Sequence, residues 1–354
     1  MRWSAIWSEA HRNIISGASH LAVGFITLAL LTVALSLGDL FTIARLQAQA
    51  AAYVEAQAAT HVLASKAGID AFACDSLDKT PTVNASGALG EYPPIYLAAM
   101  PQVALQAWAV SPGLAGVIGV NPDQTDGVWI DKGLADVLGT QVGDHLVTRQ
   151  GVLVVGAVFT WPQDGRDQRL SYSILVPRAP TGPLDECWLK AWPVADGNDI
   201  LLRSVTRSGA ATSYAMIGRV NASLGLSLDS AGLYQTRLTR YVPLLLLAFG
   251  LALGYAMTSA RRLEYASARH IGQTRRDQLA GCAIETCAWA ATAALVAVMA
   301  LWVAIRLAHL TNPEGLLIIV ARGPLMAGAG SVIGSLVACA LVRETRLFRL
   351  FKAR

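Results

Sequence analysis

Apolar positions gather in four long runs, from about His20 to Leu40, Tyr241 to Ser259, Ala280 to Ile305 and Gly323 to Val342. A helix needs about 20 apolar residues to cross a hydrocarbon core, so each run predicts a transmembrane α-helix, distributed as one, then three. After the first run, FTIARLQAQAAAYVEAQAATHVLAS is Ala-rich and free of Gly and Pro, and predicts a helix continued beyond the membrane as a stalk. Gly and Pro then punctuate a mixed stretch. There GVIGV and GVWI read as short strands, Lys132 to Leu138 as a short helix ended by Gly139, and SYSILVP as another strand. His145 to Arg149 and Val152 to Thr160 form an expected hairpin turned at Gln150-Gly151, and Ser213 to Leu224 has helical periodicity. Near the start, Trp3, Ile6, Trp7, Ala10 and Ile14 recur at helical spacing, which predicts an interfacial helix along the inner leaflet.

The expected architecture is a membrane protein of four transmembrane α-helices with an α+β extracytoplasmic domain between the first and second. In order, it comprises an interfacial helix (1–19), the first span and stalk start (20–44), the outer domain (45–240) and the second span (241–259). A charged cytosolic helix (260–279), the third span (280–305), an outer loop (306–322), the fourth span (323–342) and a basic tail (343–354) follow. Ala48-Gln49-Ala50 resembles a signal cleavage site, but it lies too far beyond the first run, which therefore reads as an anchor.

Composition agrees: 54% of residues are hydrophobic and 15% charged, against about 25% charged in soluble domains, and the mean hydropathy is +0.44. Basic residues near span ends stay cytosolic. Arg2 and Arg12, the group Arg261, Arg262, Arg269, Arg275 and Arg276, and the tail from Arg343 to Arg354 all fall on the same side, so both termini are expected in the cytosol. The segment from Arg45 to Arg240 carries 14 basic and 17 acidic residues and the rest 14 and 7, so the overall +4 sums two unlike parts. The positive charge is topological and does not indicate nucleic-acid binding.

The chain has no GxxxxGK[ST], HExxH or GxSxG, and no His and Cys set at zinc spacing. Only two of six histidines, His61 and His145, lie in the outer domain, so neither a metal site nor intrinsic catalysis is expected. Of five cysteines, Cys282, Cys287 and Cys339 fall in spans and read as small apolar residues. Cys74 and Cys187 are the outer pair, either a structural disulfide in an oxidising compartment or two separate buried thiols. Glu285, about one and a half turns into the third span, is shallow enough to reach the interface or an Arg of the preceding segment, and Asp39 sits at the outer end of the first span. Gly250 with Gly254, and Gly330 with Gly334, give faces on which helices approach closely.

RRLEYASARHIGQTRRDQL is pinned between two spans with no nucleotide-binding motif in the chain, so a driving partner must grip it from outside. The layout of one span, a large outer domain and three further spans resembles the MacB/FtsX permeases of type VII ABC transporters. Two segments carry the likeness further. RRLEYASARHIGQTRRDQL followed by Glu285 resembles that family's stretch after the second span, with Glu264, Arg269 and Gly272 at expected places. GVWIDKGLADVLGTQVGDHLVTRQGVLVVGAVF resembles its strand, helix, Leu-Gly, x-Val-Gly-Asp and strand pattern, with Gly139, Gly143 and Asp144 as fixed points.

The resemblance implies a permease of the bacterial inner membrane, dimeric with an identical or related chain, and driven by a separate cytosolic ABC ATPase dimer. The chain would bind no cofactor itself and would meet ATP only through that ATPase. Its ATPase-coupling residues would be Arg261, Arg262, Glu264, Arg269, Gly272, Arg275 and Arg276, with Ile271 and Leu279 as apolar contacts. Motion would pass to the outer domain, either to extract lipidic or peptide cargo or to activate an extracytoplasmic partner such as a cell-wall enzyme. The sequence departs from the family in its tail VRETRLFRLFKAR, which lacks the small-residue and proline pattern, and no ATPase sequence is fused. A membrane-anchored sensor or binding protein is the rival reading.

Overall fold

The computed structural model describes residues 3–16, 21–121, 126–194, 197–207 and 215–342; the tail expected over 343–354 lies outside them. Twelve α-helices occur among the described residues: α1 Trp3–Ile15, α2 Leu21–Glu55, α3 Ala71–Asp75, α4 Leu114–Ile118, α5 Lys132–Leu138, α6 Asn198–Ser204, α7 Ser230–Thr236, α8 Val242–Ala260, α9 Arg262–His270, α10 Arg275–Leu307, α11 Pro313–Val320 and α12 Arg322–Leu341. The strands are β1 Thr60–Asp70, β2 Ala85–Leu97, β3 Met100–Val110, β4 Val128–Asp131, β5 His145–Thr148, β6 Gly151–Phe159, β7 Ile174–Pro177, β8 Pro183–Lys190 and β9 Met216–Arg219. Four stretches, Leu21–Glu55, Leu238–Ala260, Arg275–Leu307 and Pro313–Leu341, are long and apolar enough to cross a membrane. A sheet-rich domain lies between the first and the others in the chain, and the molecule divides into two compact units, 1–47 with 232–354, and 48–231.

In the helical unit, α8 and α12 meet at the smallest residues. A Cβ on Gly250 would fall on the carbonyl oxygen of Ala327, and one on Gly254 on that of Ser331; reciprocally, Gly330 and Gly334 face the carbonyls of Leu247 and Leu251. Lipid gives helices no hydrophobic reason to associate, so close backbone packing supplies the attraction. Leu28 on α2, Leu246 on α8, Trp289 on α10 and Ala327 on α12 are buried in one cluster. Near the middle of α2, Asp39 accepts from Arg237 Nε at 3.3 Å, the two side chains 5% and 9% exposed, so its charge is paired.

The sheet-rich unit is a nine-stranded sheet in the order β3-β7-β4-β6-β5-β2-β8-β1-β9. β3 also pairs with β2, which brings six strands round into a closed ring. Closure hides edges that would otherwise offer unpaired backbone groups. Trp129, Trp161, Trp188 and Phe159 fill one core. A second core surrounds Cys74 and Cys187, which form a disulfide with Cα atoms 5.9 Å apart and 113 residues apart in sequence. The fixed points of the VGD pattern are turn-makers. Gly139 (φ +64) ends α5, Gly143 (φ +94) turns the chain, and Asp144 Oδ2 accepts from Gln141 N at 2.7 Å.

Several expected elements differ. GVIGV contributes to helix α4, not a strand: Gly87 and Gly113 remove the Cβ atoms that would otherwise strike the neighbouring backbone, so the turn packs down on β2. The stalk helix stops at Glu55, because Gln57 turns the chain at φ +60 and fixes it by donating to the Val117 carbonyl at 2.7 Å; Thr60 onward is β1. Within the expected Ser213 to Leu224 helix, Met216–Arg219 instead adds a strand to β1. The expected outer loop holds the apolar helix α11, capped by Asn312 through Gly315 N. The segment 260–279 is two pieces, α9 and the start of α10, with a turn between them.

Candidate functional site

The break between α9 and α10 is written in IGQT. Gly272 takes φ +107, its N–H donates to Arg269 O at 3.0 Å, and Gln273 N donates to Ala268 O at 3.1 Å. Two carbonyls left over at the end of α9 are thereby satisfied, at a position where glycine carries no Cβ penalty. Two residues on, Thr274 Oγ1 accepts from Asp277 N at 3.3 Å and donates to Asp277 Oδ2 at 2.8 Å, which starts α10. A stop and a start four residues apart make a sharp corner. Ile271, an aliphatic side chain, stands on it 87% exposed.

The seven expected coupling residues separate into two groups. Gly272, Arg275 and Arg276 are exposed at the corner, with His270 beside them, while Arg262 and Glu264 are exposed near the start of α9. Arg261 is not: it is 8% exposed and its guanidinium points inward. Its Nη1 donates to Glu285 Oε2 at 2.5 Å and its Nε to Glu264 Oε2 at 2.9 Å, and it lies over the Tyr265 ring. Burial acts against the Arg261 charge, and the carboxylates of Glu285 and Glu264 that it hydrogen-bonds oppose this, so its proton is held more firmly than usual. Burial likewise raises the Tyr265 hydroxyl and keeps it neutral. Arg269 is half-buried and donates to the Val342 carbonyl at 2.7 Å, which ties α9 to the end of α12.

Glu285 is the centre of this arrangement. Its second oxygen accepts from Asn13 Nδ2 on α1 at 2.7 Å, a partner the sequence analysis did not single out. Ile6 and Ala10 pack α1 against α10, and Asn13, one more turn along the same face, follows at helical spacing; that spacing was the available signal. One carboxylate thus joins α1, the α8 to α9 junction and α10. Deeper in, Ser335 Oγ on α12 lies 2.8 Å from Thr258 Oγ1 on α8, 2.7 Å from Thr286 Oγ1 and 2.9 Å from Cys282 Sγ on α10. A polar cavity of about 200 Å³ opens beside the Glu285 cluster, lined by Glu9, Tyr265, Gln278 and Cys282 among others.

Among the described residues no group of three or more His, Cys, Asp or Glu side chains is placed to hold a metal. The arrangement is an outward corner with cations and one aliphatic side chain, behind which a buried Arg261–Glu285 ion pair links α1, the α8 to α9 junction and α10.

No family model and no curated protein matches the chain. Solved structures similar to it include the periplasmic region of MacB from Actinobacillus actinomycetemcomitans, 12% identical, covering 50% of this chain and 91% of that one at a TM-score of 0.35. A domain of a putative permease protein from Porphyromonas gingivalis is 10% identical, covering 51% and 99% at a TM-score of 0.34. At these TM-scores neither likeness decides function.

Proposed function

We propose that this chain is the permease subunit of a MacB/FtsX-like ABC transporter, set in a bacterial inner membrane with both termini in the cytosol. The α9 to α10 corner engages a separate ATPase, and two permease copies, identical or related, share an ATPase dimer. Closure of that dimer pushes on the corner, and Arg261 and Glu285 carry the push to α8, α10 and α1. The sheet-rich domain then acts on lipidic or peptide cargo, or on an extracytoplasmic partner.

One observation supports this reading above the rest: Ile271 is held in solvent at a corner that also carries the exposed His270, Arg275 and Arg276. A corner that served only to reverse the chain would have no use for an exposed isoleucine there. Fully burying such a side chain in a partner contributes about 1.5–3 kcal/mol, roughly 10- to 100-fold in affinity. The test is copurification of the full chain with the ABC ATPase expressed beside it. Ile271→Asp with Arg275→Glu is expected to abolish recovery of the ATPase while the permease accumulates and unfolds at its usual temperature. Wild-type recovery in that double variant would sink the proposal.

A further inference from the structure

On the side of α1 away from the Glu285 cavity lies a second hollow of about 450 Å³, and its lining is almost wholly apolar. Trp7, His11 and Ile14 form one wall from α1, and Ile284, Cys287 and Ala288 form the other from α10. The α1 residues recur at i, i+4 and i+7, one face of the helix. They are distinct from Ile6, Ala10 and Asn13, which seat α1 on α10. The groove is therefore left over after α1 has docked, and it is held open by that docking.

We propose that this groove binds a phospholipid of the leaflet at the basic end of the spans. One acyl chain lies between α1 and α10, and the phosphate meets His11 and Arg12. Three observations carry the proposal. The α10 wall belongs to a membrane span, so hydrocarbon is its ordinary solvent. The groove also runs without a break into the exposed stripe Cys287, Ala291, Leu295, Met299 and Val303, spaced four apart along α10, which is the surface a bilayer covers. Finally, His11, midway along the α1 wall, brings an imidazole to the otherwise apolar lining, and the neighbouring Arg12 is exposed on the same turn of α1, two groups that complement a phosphodiester. Exposed Trp3 and Trp7 on the same short helix place it at the level of the headgroups.

A lipid seated here would act as a wedge. It would press α1 toward the Glu285 side, where Asn13 makes its hydrogen bond, and so would set how firmly the cluster is closed. The site depends on α10 spanning a membrane and not on the ATPase reading, so the two stand or fall separately.

The experiment counts phospholipid retained by the full chain purified in mild detergent from phosphatidylglycerol-containing membranes. Cys287→Trp fills the groove, as does Ala288→Phe from the next position; Val303→Trp, higher on the same stripe, is the control. The expected result is one phospholipid fewer per chain in each groove variant and the wild-type count in the control. Arg12→Ala with His11→Ala should lose the same lipid on washing at least tenfold faster. Two results would overturn the proposal: a wild-type count in both groove variants, or loss of self-association with the count unchanged, which would seat a second copy of the chain there. A groove variant that fails to match wild-type thermal unfolding is set aside in favour of the other.

Discussion

In the sheet-rich unit the largest fully buried side chains are Trp129 and Trp188, whereas at the centre of the helical unit backbone meets backbone at Gly250, Gly254, Gly330 and Gly334. The contrast follows from what each unit must exclude. Water drives indoles together in proportion to the apolar area they bury. Lipid tails are as apolar as any side chain, so α8 and α12 gain only from close approach and from the few polar contacts that cannot be satisfied elsewhere. The sheet-rich unit is therefore held by bulk and a disulfide. In the helical unit the α8 to α12 contact is held by absence of bulk, and ion pairs such as Arg261 with Glu285 add to it.

The sharpest way to break that comparison is Glu285→Leu. It removes the acceptor of a guanidinium that is 8% exposed, and orphaning one member of a buried pair costs about 3–5 kcal/mol. Thermal unfolding of the full chain in detergent should show the loss, and Arg261→Leu added to it should recover most of the stability. A single Glu285→Leu variant as stable as wild type would mean the cluster does not hold these helices. For the sheet-rich unit the counterpart is Cys74→Ala with Cys187→Ala, which opens a loop of 113 residues and should cost about 2–5 kcal/mol. Near-ultraviolet circular dichroism of the buried tryptophans is the readout, and a transition unmoved by the change would assign stability to the cores alone.

A pH titration sharpens the contrast further. His61 in β1 is buried, with Nδ1 3.3 Å from Asp199 and Nε2 3.4 Å from Asn198. Burial first, and Arg219 second, lower its pKa to about 4, with Asp199 partly opposing. Between about 6.5 and 4 the unfolded chain takes up a proton that the folded one refuses. Stability is thus fully present above about pH 6.5 and is lost as pH falls through that window, by at most about 3 kcal/mol. His61→Gln should flatten this dependence in urea unfolding monitored by tryptophan fluorescence; an unchanged slope would remove His61 as its source. The smallest effect is expected at Gly254→Leu, which overpacks the α8 to α12 contact by about 1–3 kcal/mol, against Gly38→Ala on α2, where a Cβ meets nothing within 4 Å. Equal melting temperatures for the two would show that glycine proximity contributes nothing here.

These differences also set how much could be read from the chain in advance. The spans were legible because hydrocarbon imposes a length and a composition that no neighbour can override. The Glu285 to arginine contact was legible too, since a carboxylate that shallow has few donors in reach. GVIGV was not: its valine and isoleucine favour strand locally, and only the approach permitted by Gly87, 29 residues earlier, makes room for a helical turn. Met216–Arg219 reads locally as helix, and only its strand partner, β1, some 150 residues back in the sequence, makes it a strand. At the corner, Gly272 and Thr274 announce the break that charge pattern alone obscured, while the inward turn of Arg261 depends on where α10 places Glu285.

The glycine contact between α8 and α12 also bears on the order in which the protein is made. Thr258 and Ser335, which hydrogen-bond across that contact, are 77 residues apart in sequence. A ribosome moving at about 5–20 residues per second needs roughly 4–15 s to cover that distance. Throughout that interval the small-residue face of α8 has been inserted without the helix shaped to fill it. Arrival of α12 fills that face, so premature termination anywhere ahead of it yields a chain with an open seam along α8.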